Sequence, residues 1–143
     1  MTLKNKISIE IGLILLLLPI CTFGCGITSS SSIPTHVYFP VQNTAQTINM
    51  EARMEGHLVI DKAGYLKVVE ANALIIWPFG YSLRHEGNDI WIINNKDKAV
   101  ARVGDTVVLG GGFVGASVVE EKIGHALPTD ATGPYFLCGR VVE

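Results

Sequence analysis

The sequence predicts a mostly β fold: a small antiparallel barrel of OB-like form or a half-closed sandwich, with at most one short helix. Three observations predict it. Fifteen glycines and six prolines punctuate a chain of 143 residues, and these residues mark turns. The apolar runs between them are short and rich in Val, Ile and aromatic side chains, which suit a pleated surface. Turn signals recur about every 8–12 residues, the spacing of barrels and sandwiches. An open small sheet would leave adhesive edges, and closure removes them.

The elements read in order as follows. Residues 37–39 form a short strand ended by Pro40, and residues 43–47 a polar loop. Residues 56–60 (GHLVI) are a strand, 61–64 (DKAG) a turn, and 65–70 (YLKVVE) the second arm of that hairpin. Residues 73–77 (ALIIW) are too short for a comfortable helix, and the Trp77-Pro78 step favours extended backbone. Strands follow at 82–85 and 90–93, separated by the strong turn EGND. Residues 99–103 and 106–109 are strands broken at Gly104-Asp105, the second ending in the triple glycine Gly110-Gly111-Gly112. Residues 117–124 (SVVEEKIG) permit a short helix, with Ser117 as the cap, early acids and a terminal glycine. Residues 128–134 are loop and 135–142 a final strand.

Composition excludes several functions. Hydrophobic residues are 48%, charged residues 17%, and mean hydropathy is +0.36, enough apolar surface for a core and unlike a disordered chain. The net charge of −2 lacks the cationic excess that phosphate neutralisation needs, so nucleic acid is not an expected partner.

The N-terminus reads as a targeting signal. Lys4 and Lys6 precede an apolar run at 11–20, IGLILLLLPI. It suits a signal peptide and falls short of the roughly 20 residues of a spanning helix. The run ends in CTFGC, and here the sequence resembles a bacterial lipoprotein signal, in which a small residue precedes an acylated cysteine. Gly24-Cys25 fits that rule, while Thr22 and Phe23 depart from the usual pattern; Ile20 makes Cys21 the poorer candidate. The resemblance implies a signal peptide at 1–24 and lipid attachment at Cys25. Two or more acyl chains, at about 0.8 kcal/mol per buried methylene, anchor stably where one does not. The alternative is an ordinary secretory signal with Cys25 free or bridged. Residues 25–36, small and polar through GITSSSSIPT, read as a flexible tether. Residues 37–143 are then one β-barrel domain.

The segments LIIWPFGYSL (74–83), VARVGDTVVLGGG (100–112) and GPY (133–135) resemble a group of small uncharacterised bacterial envelope lipoproteins. Those carry patterns such as W-P-x-G-x-S-L and A-R-V-G-D-x-V-x-L-G-G-G. The resemblance spans about residues 55–140, matches least over 113–127, and implies a β-rich exported module without established chemistry.

Each candidate site also has a plainer role. The triple glycine lacks the Lys-Ser/Thr of a phosphate loop and reads as a sharp turn or a close backbone approach. Asp105 reads as a turn residue bonding nearby backbone amides. His36, His57, His85 and His125 show no metal-ligand spacing, so no metal or cofactor is expected, and His85 reads as solvated. Ser82 lacks the G-x-S-x-G elbow, because position 84 is Arg. Cys138 reads as a small buried apolar residue in a strand. Tyr81, Arg84 and Trp91 are the candidate ligand-binding residues, because aromatics on a barrel face sometimes line grooves; core or partner packing is the commoner use.

The expected function is a lipid-anchored, exported binding or interaction module on the extracytoplasmic side of a membrane, with no catalytic activity. Loops at 78–82 and 110–115 would be offered to another envelope component. The alternative is a small-ligand-binding OB-like protein of the periplasm or exterior, and a hydrolase ranks third, because no acid–base or nucleophile set is visible.

Overall fold

The structure is a computed structural model that describes residues 36–46 and 50–142. The expected signal peptide, Cys25 and all of the tether except His36 lie outside those residues. The chain forms β1 (Ala52–Ile60), β2 (Leu66–Val68), β3 (Ala73–Ile76), β4 (Ser82–Glu86), β5 (Asp89–Ile93), β6 (Ala99–Arg102), β7 (Thr106–Val114), α1 (Ala116–Ile123) and β8 (Tyr135–Val141). Five strands close a barrel in the order β1-β2-β3-β8-β7, with β7 returning to β1. The other three form a separate antiparallel sheet, β4-β5-β6. The expected β-rich barrel with one short helix is the fold observed.

Period-2 patterning builds the barrel wall. Along β1, Met54, Gly56 and Leu58 turn inward, while Arg53, Glu55 and His57 turn to solvent. A slip of one residue would reverse every one of these, so the register is firmly specified. β3 departs from alternation because all four of its residues are buried. Ala73 and Ile75 face the barrel core with Leu58, Leu109 and Phe136. Leu74 and Ile76 face outward into a second cluster with Leu137, Val119 and Ile123. α1 therefore covers the outer face of β3 and β8. These two strands pair in parallel, Ile75 opposite Phe136, and a parallel pair buried on both faces reads as an unbroken apolar run.

The three-stranded sheet is not an independent layer. Ile92 belongs to the barrel core, and Leu83, Val100, Ala101 and Val103 pack against that core. The 104–105 turn ties the sheet to β1: Gly104 N donates to Leu58 O at 2.7 Å, and Leu58 N donates to Asp105 O at 3.0 Å.

Four local expectations are corrected. Residues 37–39 form no strand; Tyr38 makes a single parallel bridge to Tyr65, because Pro40 soon removes a ladder donor. The triple glycine is not a turn, and 110–115 is not a loop as a whole, because β7 runs straight through Gly110–Gly112 to Val114. The close-approach reading is the one that applies. A Cβ on Gly111 would collide with the Leu137 carbonyl oxygen and lie 2.8 Å from the Phe136 ring. The helix is capped by the backbone of Gly115, not by Ser117, and its first turn holds no acid. Its C-terminus does end at Gly124, whose φ of 79° is left-handed and costs glycine little. Asp105 does not bond backbone amides; its carboxylate takes the Arg102 guanidinium, Nε to Oδ2 at 3.2 Å and NH2 to Oδ1 at 2.9 Å.

Candidate functional site

The sequence-predicted residues separate into two places. Arg84, Trp91 and Arg102 form one cross-strand row on the three-stranded sheet, Arg84 opposite Trp91 and Trp91 opposite Arg102. The Arg102 guanidinium lies 5.6 Å from the centre of the Trp91 ring, within cation–π range. Arg84 bonds Glu86 at 3.1 Å, and Arg102 bonds Asp105 and also approaches Asp89 at 3.6 Å. The Arg102 side chain beside Asp105 holds that carboxyl below its ordinary value. Each cation of the row thus has an acid, and the indole has a cation. This network is satisfied within the chain. Tyr81 lies elsewhere, in an aromatic stack with Trp77 (6.3 Å), which stacks in turn on Phe39 (5.3 Å).

His57 and Glu70 make a second polar pair that spacing did not reveal. His57 Nδ1 lies 2.6 Å from Glu70 Oε1, and the His57 backbone N donates to Glu70 Oε2 at 2.7 Å. The imidazole contact lowers the Glu70 pKa. Both side chains are exposed, and Thr106 is the cross-strand neighbour of His57. His36 and His85 are exposed, and the His125 Nδ1 sits 3.0 Å from the Ala126 carbonyl oxygen. Among the described residues no group of three or more His, Cys, Asp or Glu is placed to hold a metal.

The concave site is a groove around Gln46. One compartment, about 270 Å³, is lined by Gln42, Thr44, Ala45, Gln46, Met50, Lys122 and Leu137. A second, about 240 Å³, runs from Gln46 and Gly139 to Pro78, Phe79, Tyr81 and Asn95. A third, about 110 Å³, joins Gln46 and Met50 to Gly110, Gly139 and Arg140. Gln46 borders all three. Neither Arg84 nor Trp91 lines any of them; Tyr81 lines the second.

A bulge shapes this groove. β7 and β8 pair Gly110 with Arg140 but Gly111 with Cys138, which leaves Gly139 unpaired. Without that slip, Cys138 and Arg140 would share a face, two residues apart. With it, Cys138 is fully buried in the barrel core while Arg140 is exposed, its stem alongside Gly110. Burial pushes the Cys138 thiol up to about 12. The expectation of a small apolar cysteine buried in a strand is what the structure has.

Three amides, Gln42, Gln46 and Asn95, contribute to the groove's polar lining. Gln42 is only 2% exposed, and its Nε2 donates to the Cys138 carbonyl at 2.7 Å. Phe79, at the other end, is 50% exposed, a large apolar side chain left open beside Tyr81. Sequence reasoning found Tyr81 but missed Gln42, Gln46 and Arg140. The signal available was Gly139-Arg140 after a run of apolar residues, where alternation breaks.

No family model, no curated protein and no solved structure matches this chain.

Proposed function

We propose that this protein is a lipid-anchored, non-enzymatic binding module of the bacterial cell envelope. It is exported and held on the extracytoplasmic side of a membrane through Cys25. The observation that carries the proposal is Gly24-Cys25 placed directly after a short apolar run and before a polar serine-rich tether. The likeness to small envelope lipoproteins supports the same reading. The β-barrel supplies a rigid body, and the Gln46 groove supplies a concave surface with Phe79 and Tyr81 at one end. A second reading, a small-ligand binder, draws its support from the same groove, whose compartments approach the size of small-molecule clefts, roughly 300 Å³ and upward.

Metabolic labelling with a fatty-acid probe tests the anchor. The wild-type chain takes up label and partitions with membranes. Cys25→Ala takes up none and is released. Equal labelling of both, or a full-length chain beginning at Met1 in the soluble cytosolic fraction, removes the proposal.

A further inference from the structure

We infer that the Gln46 groove takes a ligand of acidic-peptide chemistry, an extended chain whose carboxylate seats on Arg140. The inference rests on the reading of this groove as the module's binding surface.

Charge carries the first part of the argument. Among the described residues the charged side chains lining the groove are Lys122 and Arg140, and none of the lining residues is an acid. Lys122 has a partner outside the groove, Glu121 at 3.7 Å. Among the described residues the Arg140 guanidinium has no carboxylate. Elsewhere the chain does not leave its arginines this way: Arg53 bonds Glu55, Arg84 bonds Glu86, and Arg102 bonds Asp105. The bulge at Gly139 is the device that turns Arg140 to this side. Bulges re-aim side chains in this manner, frequently beside functional sites. A guanidinium presents a planar fork that matches a carboxylate with two parallel bonds.

Polarity carries the second part. Gln42, Gln46 and Asn95 bring amide groups that both donate and accept, as a peptide backbone does. Gln42 is nearly inaccessible yet borders the compartment of about 270 Å³, and its Nε2 is already given to the Cys138 carbonyl. At the far end, Pro78, Phe79 and Tyr81 offer an apolar shelf for a side chain. A cation at one end, amides along the length and an aromatic shelf at the other fit a short acidic peptide.

The test uses purified full-length protein, titrated with a three-glutamate peptide and followed by backbone amide resonances. The glutamate peptide shifts the amides of Gln46, Gly110 and Gly139. Arg140→Gln weakens it tenfold or more, the scale of one charge-assisted pair. Arg84→Gln, outside the groove, leaves the affinity unchanged. A three-glutamine peptide binds at least tenfold more weakly, and added salt lowers the affinity of the glutamate peptide. The inference is overturned if no groove amide shifts. It is also overturned if the glutamine peptide or inorganic phosphate binds as well as the glutamate peptide, or if Arg140→Gln binds like wild type. Lys122→Gln provides a second variant; it weakens binding less than Arg140→Gln, and the reverse order moves the carboxylate away from Arg140 and sinks the assignment. Cys25 labelling is independent of this experiment. Lipid on Cys25 with no peptide binding discards the ligand and keeps the anchored module; peptide binding without lipid does the converse.

Discussion

Arg84, Trp91 and Arg102 show how a residue's neighbours decide its use. Each is a plausible ligand contact when read alone. In the fold they occupy one row across three strands, with Glu86, Asp89 and Asp105 closing the charges. Arg84–Glu86 lies within β4 and Arg102–Asp105 spans a turn, while Arg102–Asp89 crosses from β6 to β5, the kind of opposite-charge contact that stabilises a sheet. Arg140 is chemically similar but has no such acid among the described residues, and it is the one beside a groove. Cys138 shows the reverse case, a reactive residue made inert by burial. Its thiol is pushed from 9.0 up to about 12, chiefly by desolvation. Tyr65 moves to a similar value because its hydroxyl donates to Asp130, and burial raises Tyr38 and Tyr81 as well. The sign follows directly. Each folded-state value lies above the unfolded one, so the folded protein holds more protons between them. Stability is fully present below the unfolded values and declines as pH rises from about 9 to 12. Thermal melts across that range should show a falling midpoint. Cys138→Ala should show a smaller fall than wild type, though from a lower starting stability. An identical pH slope in the two proteins would remove Cys138 from this account. The native thiol should also resist alkylating reagents at pH 8 and react once denaturant unfolds the chain.

At the scale of elements, β7 and β8 form the seam on which the site depends. Gly111 presses on the Leu137 carbonyl and on the Phe136 ring, so the strands approach more closely than a side chain there would permit. Gly111→Ala places a methyl against backbone that cannot rotate away. Overpacking of this sort costs about 1–3 kcal/mol, and strand separation would also disturb the neighbouring bulge. We expect a denaturation midpoint lowered by that amount, together with shifted amide resonances at Gly139 and Arg140. A variant as stable as wild type would show that the seam relaxes. The helix is weakly specified by comparison. Its start is the backbone of Gly115 without a side-chain cap, and its position comes from Val119 and Ile123 docking on β3 and β8. In short helices most stability comes from such packing and little from propensity.

At the scale of the molecule, the barrel and the three-stranded sheet share one apolar core. Ile92, on the central strand of that sheet, is fully buried among the barrel residues Leu58, Leu109 and Phe136. The prediction is therefore one cooperative unfolding transition. Ile92→Ala should lower stability by about 2–5 kcal/mol, the range for truncating a large aliphatic core residue. Far-ultraviolet circular dichroism and tryptophan fluorescence should report the same midpoint, since Trp77 belongs to that core and Trp91 to the sheet. Two separated transitions would mean that the sheet is an appended unit. Among the described residues the closed barrel leaves no long free sheet edge; the edges of the other sheet are the short β4 and β6, and charged residues blunt β4 at Arg84 and Glu86.

Much of this fold was legible in the residues themselves. Turn residues and short β-branched runs located every strand of the barrel and of the inserted sheet, and residues 117–124 marked the helix. These signals are local: a turn or an alternating run is decided by residues a few positions apart. Pairing was not legible in the same way. Nothing near Ile75 says that it lies parallel to Phe136, and nothing near Gly110 says that the ladder slips at Gly139. For the triple glycine the residues offer both a sharp turn and a close backbone approach; glycine's turn propensity is local, while the fit between β1 and β8 that selects the close approach is not. The site followed the same division. Tyr81 could be picked out as an aromatic after a turn. Gln42, Gln46 and Arg140 come from segments nearly a hundred residues apart, and only closure of the barrel, with its one-residue bulge, brings their amides and the guanidinium to a single groove.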